Sequence, residues 1–189
     1  MTTRTLGLLR TAITDRTLVR IVRGDIQTAD QEREGVPVAV GKRWIVFAQM
    51  DDSINVNGFG AVRLNDITAL QTRFERRAFY VRALRLKRAR IPAVPPLDLK
   101  SATTLLKTAQ KWFSLLVVER ELLFPNSVDI GRMTRSWRSA VEMRLVSASA
   151  KRESRSCRLK TADITAISFG GQYEDTVADV GGFEDPGWK

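Results

Sequence analysis

Eight cations crowd the segment between Arg73 and Arg90, which contains a single acidic residue, Glu75. Arginine can donate to phosphate through its forked guanidinium and can stack on bases, and a tyrosine adds another stacking surface. On a helical wheel, four of the cations and the tyrosine fall within about a third of the circumference. The pattern predicts single-stranded RNA contacts at Arg73, Arg76, Arg77, Tyr80 and Lys87. A solvated helix face, whose arginine stems cover apolar surface, is the alternative interpretation.

A second basic group lies in "GRMTRSWRS", where Arg132, Arg135 and Arg138 surround Trp137. An aromatic ring among arginines is compatible with nucleic-acid binding, because bases stack on aromatic rings while guanidinium groups contact phosphates. The alternative is a packed tryptophan at the end of a strand with exposed neighbours. Both interpretations place this group beside a strand.

Other chemistry is limited by composition. The chain has no histidine and one cysteine, Cys157, which excludes an internal disulfide, Cys/His zinc sites and histidine-based nucleophile pairs. Asp51 and Asp52 fall in a turn without companions at metal-ligand spacing, and the glycines of "NGFG" and "FGG" lack the spacing of a phosphate loop. We therefore predict a protein that is not an enzyme, with no catalytic residue, cofactor or metal site.

The net charge of +10 favours an acidic partner such as nucleic acid. Residues 1–100 carry 18 Lys+Arg against 10 Asp+Glu, and residues 101–189 carry 13 against 11. An arginine-rich genome composition or a solubility requirement could produce the same excess. No stretch approaches the roughly 18 apolar residues of a membrane helix, and no secretory signal pattern is present, so we predict a cytoplasmic protein without membrane contact.

Short segments of the chain repeat at a spacing of 97 residues. Asp-Ile-Thr-Ala occupies 66–69 and 163–166, and "LLRTA" at 8–12 matches "LLKTA" at 105–109. Matches in one register at both ends of a long span indicate an internal repeat. Between them, "VPVAVGKRW" aligns with "SVDIGRMTRSW" only if loop lengths differ between the copies. The repeated aspartates are predicted to bond backbone amides in a turn, while the isoleucines enter the core.

Each copy predicts a short helix, five short strands and a second helix. Leu9 and Leu106 lie on the apolar sides of the first helices, and Ser101 is a plausible N-cap. Alternating apolar residues indicate half-buried antiparallel strands. Closure would remove exposed sheet edges, so the expected fold is mainly β with flanking helices (α+β), built as two tandem small five-stranded barrels. The strand residues are Val19, Ile21, Val36, Val38, Val40, Trp44, Val46, Ala48, Val62, Leu64, Leu116, Val118, Val128, Ile130, Val141, Met143 and Leu145.

Three prolines mark the boundary between the copies. Pro92, Pro95 and Pro96 break the preceding helix and favour an extended path. The predicted organisation is a first repeat at 1–90, a linker at 91–100, and a second repeat with a C-terminal tail at 101–189.

This layout resembles the Sm-like family of SH3-type small barrels. The motifs that carry the resemblance are "NGFGAVRLNDI", "FERRAFYVRALRL", "VPPLDLKSATTLLKTA" and "SFGGQYEDTVADV", which are similar to uncharacterised bacterial proteins with two such barrels. Residues 51–56 fit the D-x-x-h-N-h segment of Sm RNA binders (h is an apolar residue), and residues 22–24 fit the h-R-G segment. Their order is reversed and the second copy has neither, so the resemblance does not carry ring-type uridine recognition with it.

Two functional hypotheses follow from the sequence. The first is a non-enzymatic protein that binds RNA or another nucleic acid through its basic surface, with phosphate contacts and a steep salt dependence. The alternative is a protein-interaction or assembly module, in which small barrels pair into a homo-oligomer or dock onto a protein partner.

Overall fold

The computed structural model describes residues 3–26 and 31–183; residues 184–189, at the end of the predicted C-terminal tail, lie outside them. Within the described residues the fold is mainly β with flanking helices, as predicted. The helices are α1 (Thr3–Thr14), α2 (Arg77–Leu86), α3 (Ala102–Ala109) and α4 (Gln172–Gly181). The strands are β1 (Val19–Val22), β2 (Glu32–Val40), β3 (Trp44–Met50), β4 (Val56–Arg63), β5 (Ala69–Gln71), β6 (Leu116–Glu119), β7 (Val128–Ser136), β8 (Ala140–Val146), β9 (Arg152–Lys160) and β10 (Ala166–Phe169).

The first repeat, α1 to α2, and the second repeat, α3 to α4, have the same element order and strand pairing. The sheet runs β5-β1-β2-β3-β4-β10-β6-β7-β8-β9, so each half has the order fifth, first, second, third, fourth. Both copies also place a bulge in the second strand, at Val38 and Thr134. Where the third and fourth strands pair, the extra residues lie in the fourth strand, with one in β4 opposite Gln49 and two in β9 opposite Leu145. Bulges bend and twist strands, so the two halves curve at equivalent places.

The ten strands form one open antiparallel sheet instead of two separately closed barrels. The fourth strand of the first repeat pairs with the last strand of the second, with Phe59 opposite Phe169 and Val62 opposite Ala166. This pairing satisfies the backbone groups of both strands and buries the apolar side chains between the halves. The free edges of the sheet are β5 and β9.

One core spans the two repeats. Its largest cluster combines Val46 and Ala61 of the first repeat with Leu106, Leu159 and Phe169 of the second. A smaller cluster lies in the first repeat and includes Ala166 of β10, and another lies beneath α4. Burying apolar area in a shared cluster is what joins the repeats, because the hydrophobic contribution scales with the area removed from water.

The segment between α2 and α3 is packed against this core. Ile91, Val94 and Leu97 contact the shared cluster, and Leu99 is buried. A Cβ at Gly41 would lie 2.2 Å from the Leu99 Cβ, so only glycine allows the segment to approach the β2–β3 turn this closely. The α3 helix then begins at Ser101, whose side chain accepts from the Thr104 N–H in a capping box, as the N-cap prediction requires.

The repeated Asp-Ile-Thr-Ala segment is explained by its threonine. The Thr68 hydroxyl donates to the Val22 carbonyl (3.2 Å) and accepts from the Gly24 N–H (3.1 Å). The Thr165 hydroxyl makes the two equivalent contacts, 3.1 Å to the Glu119 carbonyl and 3.2 Å from the Glu121 N–H. Each hydroxyl therefore holds the end of the repeat's first strand.

The other two roles predicted for this segment differ in outcome. The isoleucines enter the core as predicted, with Ile67 4% exposed and Ile164 fully buried. The Asp66 carboxylate instead accepts from the Arg63 Nε at 2.7 Å. Among the described contacts, no backbone N–H donates to the side chain of Asp66 or Asp163. The aspartates lie between strands in turns as predicted, but the predicted hydrogen bonds from backbone amides to their carboxylates were wrong.

The strand registers also correct the alignment of the middle segments. Glu32 lies opposite Val22, and Val128 lies opposite Glu119, so these positions correspond at a shift of 96 residues. The counterpart of Trp44 is then Ala140, whereas Trp137 lies in the β7–β8 turn. Similar residue types had favoured a register several residues away. Across the described residues, no helix combines the length and apolarity needed to cross a bilayer.

Candidate nucleic-acid interface

Two of the cations predicted as RNA contacts, Arg77 and Lys87, are hydrogen-bonded to other segments of the first repeat, although Lys87 is also exposed. The Arg77 Nε donates to the Leu18 carbonyl (3.3 Å), and the Lys87 ammonium donates to the Asn55 side chain (3.0 Å) and to the Ser53 carbonyl. A cation that is hydrogen-bonded to backbone carbonyls holds the helix in place. These two side chains therefore fix α2 on the sheet.

Tyr80 belongs to the interior side of α2. It is 9% exposed and packs with Leu18 and Val36. Burial raises the pKa of Tyr80, and the nearby Glu34 carboxylate, which accepts its hydrogen bond, raises that pKa further. The ring is therefore unavailable as an open platform for a base.

Arg73 and Arg76 are exposed, and the Arg76 guanidinium lies over the Tyr80 ring at 5.1 Å from its centroid. Arg73 precedes the helix, which begins at Arg77. The structure does not bring the five predicted residues together on one open surface. The exposed side of α2 instead carries Arg82 and Arg85.

The second predicted group divides into one structural arginine and three exposed residues. The Arg132 guanidinium donates to the carbonyls of Gln110 and Ser114, each at 3.2 Å. Burial lowers the pKa of Arg132, although an arginine remains protonated at neutral pH. Arg135, Trp137 and Arg138 are exposed at the end of β7 and in the turn that follows.

The register of β7, β8 and β9 places further residues beside Arg135. Arg135 lies opposite Glu142, and Glu142 lies opposite Arg158, so all three point to the same side of the sheet. The next row on β8 and β9 pairs Arg144 with Ser156. We call this side of the sheet the basic face, formed by Arg135, Glu142, Arg144, Ser156 and Arg158.

Sequence reasoning missed Arg144 and Arg158. The signal for Arg144 is the alternation in "AVEMRLV" of β8, and that for Arg158 is the alternation at the end of "RESRSCRLK" of β9, because every second side chain lies on one side of a strand. Cys157 on the opposite side packs against the shared core, and burial raises the pKa of its thiol. The exposed basic residues and the buried residues of β9 thus follow strand periodicity.

The equivalent face of the first repeat is apolar and buried. Val46 pairs with Ala61 where Glu142 pairs with Arg158, and Ala48 pairs with Phe59 where Arg144 pairs with Ser156. All four first-repeat residues belong to the shared core and are at most 5% exposed. The same backbone positions therefore form the junction in one repeat and a charged surface in the other.

The net charges of β7–β9 and of the equivalent strands β2–β4, counted with their turns, differ accordingly. Residues 128–160 carry nine Lys+Arg against three Asp+Glu, a net of +6. Residues 32–63 carry four of each and are neutral. Between the two sets of strands, the excess positive charge therefore lies on β7–β9 and the turns between them, whereas the basic excess of the first repeat lies at 73–90, outside its sheet.

Trp137 borders the basic face. The Arg158 guanidinium lies over its indole at 4.6 Å from the ring centroid, and the backbone N–H of Trp137 donates to the Ala140 carbonyl at 2.8 Å. These contacts hold the ring at the turn while 40% of the residue stays exposed. An exposed ring fixed among arginines offers a stacking surface next to cations.

The residues that match Sm-type RNA motifs have structural contacts here. Arg23 is fully buried and donates twice to the Glu121 carboxylate, at 2.6 and 2.7 Å. The Asp51 carboxylate accepts from the Asn55 N–H at 2.9 Å, a hydrogen bond that lowers the pKa of Asp51. The arginine of the h-R-G match is therefore held in a buried ion pair, and the aspartate of the D-x-x-h-N-h match closes its own turn.

Glu121 and its neighbours form a buried charged cluster between the repeats. Arg33 of β2 bridges Glu119 and Glu121, and the Thr165 hydroxyl lies 2.7 Å from the Glu121 carboxylate. Burial alone would raise the pKa of Glu121, but the hydrogen bonds from Arg23 and Thr165 and the positive charges of Arg23 and Arg33 outweigh it, and the pKa is lowered. The cluster links β1 and β2 to the second repeat.

No three His, Cys, Asp or Glu side chains within residues 3–26 and 31–183 are grouped to hold a metal ion. Comparisons of the chain with protein-family models, curated proteins and solved structures find no match.

Proposed function

We propose that this protein is a non-enzymatic nucleic-acid-binding protein that contacts phosphates with its basic face. The observation that carries the proposal is the replacement of buried Val46, Ala48 and Ala61 by Glu142, Arg144 and Arg158 at equivalent positions. A face that only ended the sheet would need polar residues of either sign, whereas the basic face has three arginines against one glutamate and residues 128–160 as a whole have a net charge of +6. Clustered arginines attract phosphates whatever the base sequence.

The test is fluorescence anisotropy of the nuclease-treated protein with a short labelled single-stranded RNA at several salt concentrations. The first variant carries Arg135→Glu and Arg158→Glu. Its matched control carries Arg82→Glu and Arg85→Glu, which reverse two exposed arginines on α2. Both variants change the net charge equally, so the comparison separates a local surface from total charge.

We expect binding near physiological salt, with log K falling by about 0.7 per phosphate contact for each unit of log salt. The Arg135/Arg158 reversal should abolish binding, and the Arg82/Arg85 reversal should weaken it only slightly. Equal losses in both variants would assign binding to diffuse charge, and absence of binding by the wild-type protein would refute the proposal. Circular dichroism verifies that each variant is folded.

A second candidate function is protein assembly, and one observation favours it. The β6–β7 loop exposes three consecutive apolar side chains, Leu122 at 55%, Leu123 at 53% and Phe124 at 48%. Apolar residues that are exposed together are typical of interaction surfaces, here for a second copy of the chain. Sedimentation equilibrium tests this function: a mass above the 21.3 kDa of one chain that Leu122→Ser with Leu123→Ser reduces would favour it.

The finer fold proposal is that each repeat is a small Sm-like barrel unit. It is supported by the shared strand order and by the matching bulges at Val38 and Thr134. A cytoplasmic location likewise remains a prediction.

A further inference from the structure

A groove of about 770 Å³ opens between the two repeats beside the basic face. It lies between the start of β3, the end of β4, the beginning of α3, the β7–β8 turn and the segment that follows β9. Residues of both repeats therefore meet in it. Its polar and aromatic lining includes Arg43, Trp44, Arg63, Thr103, Trp137 and Arg138.

The groove contains two exposed arginines that form no salt bridge with the residues the structure describes. These are Arg43 on the first repeat and Arg138 on the second. A third cation, Arg63, is neutralised by Asp66 at 2.7 Å and also donates to the Ala162 carbonyl. The beginning of α3 adds the partial positive charge of a helix N-terminus to the same space. The groove therefore has positive charge from both repeats, which favours the binding of an anion.

Trp137 connects this groove with the basic face. Its ring lines the groove and also contacts Arg158, which belongs to the face. A nucleic-acid chain that lies on Arg135 and Arg158 would reach Trp137 next and then the two groove arginines. The bases of a duplex are stacked on each other, so only an unpaired base can stack on a protein ring.

We propose that the groove binds single-stranded nucleic acid, with one base stacked on Trp137 and neighbouring phosphates between Arg43 and Arg138. This inference rests on the proposed nucleic-acid-binding function and deepens it, because it names the strand state and the second contact surface. Both RNA and DNA single strands have the required chemistry.

The test compares Trp137→Leu with Trp112→Leu. Trp112 is 59% exposed but lies in a different groove, beside Phe113, so its replacement controls for loss of an exposed indole. Anisotropy is measured with single-stranded RNA, single-stranded DNA and duplex DNA of equal length. A third variant, Arg43→Ala with Arg138→Ala, tests the phosphate contacts without altering the tryptophan.

We expect Trp137→Leu to weaken single-strand binding by roughly 5- to 150-fold, the measured range for one stacked base, without changing the salt slope. Trp112→Leu should have no effect. The arginine pair should lower the slope by about 1.4, from two contacts of about 0.7 each. Stronger binding of RNA than DNA would identify RNA as the ligand, and equal binding would show that the groove reads only the phosphates and bases common to both.

Different results would refute the groove inference and the proposed nucleic-acid-binding function. If Arg135→Glu with Arg158→Glu abolishes binding but Trp137→Leu does not weaken it, or if duplex binds as tightly as the single strand, the groove inference is overturned and the proposed function stands. If the wild-type protein binds none of the three probes, both are refuted.

Discussion

The outer side of β3 and β4 is apolar and buried, whereas the equivalent side of β8 and β9 is charged and exposed. Both pairs have the same register over these residues, so backbone pairing does not distinguish them. The difference is what covers each side. Ala61 lies in the shared cluster with the linker, α3 and the second repeat's strands, whereas its counterpart Arg158, on the edge strand β9, is in solvent.

The two repeats also differ in the environment of the threonine that holds the end of each first strand. Thr68 and Thr165 make equivalent contacts, yet Thr68 is exposed and Thr165 is buried beside the Glu121 carboxylate. The two copies therefore share a scaffold, but they lie in different environments and have different roles. One copy supplies much of the junction's apolar surface and the other exposes the basic face.

The largest effect on the free energy of unfolding should come from exchanging the residue types at one equivalent position that is buried in the first repeat and exposed in the second. Ala61→Arg places an unpaired charge in the shared core and should lower the free energy of unfolding by at least about 4 kcal/mol. The reciprocal exchange, Arg158→Ala, should change it by no more than about 0.5 kcal/mol. Urea unfolding followed by circular dichroism measures both. Similar effects would show that the two faces are not different environments.

Removing the Glu121 carboxylate from the buried charged cluster should have the next largest effect on the free energy of unfolding. Glu121→Ala removes both hydrogen bonds from the buried Arg23 and should cost about 3–5 kcal/mol at pH 7. Because the folded-state pKa of Glu121 is lowered, its stabilisation is present above its ordinary pKa and disappears as the pH falls through the folded value. Urea unfolding of both proteins across a pH series should therefore show the difference between them narrowing in acid. A constant difference would contradict the assigned ion pairing.

The smallest effects should come from the paired threonines. Thr165→Val leaves buried partners without their hydrogen bonds and should cost about 1–3 kcal/mol. Thr68→Val should cost about 0.5–1.5 kcal/mol, because water can replace the hydroxyl at this exposed site. Thermal unfolding of the two variants shows which substitution causes the larger loss of stability. A larger loss at Thr68 would reverse the proposed difference between the repeats.

Much of the scaffold could be predicted from local pattern. Period-two alternation identified most strands, Ser101 identified the start of α3, and the 97-residue spacing identified the repeat. The alignment between the two matched ends failed because similar residues at Trp44 and Trp137 occupy different structural positions. Local similarity cannot separate a buried strand residue from a turn residue when neither register is fixed by pairing.

The candidate site was only partly predictable. Arg135, Trp137 and Arg138 were found because they are close in sequence, but Arg158 joins them through the β8–β9 pairing. On α2 the cations were visible, although which side of the helix faces the sheet depends on distant partners such as Leu18. Charge density in the sequence therefore identified basic residues without showing which of them are exposed together.

The sequence by itself determined the elements, their duplication and the chemistry that the chain lacks, because periodicity, capping and composition are local properties. Tertiary structure alone decided that β4 pairs with β10, that the sheet is open, and that one repeat's face is buried while the other's is exposed. Edge pairing joins residues about a hundred positions apart, and every free strand edge offers the same backbone groups. The choice among edges therefore depends on the apolar area that each pairing buries.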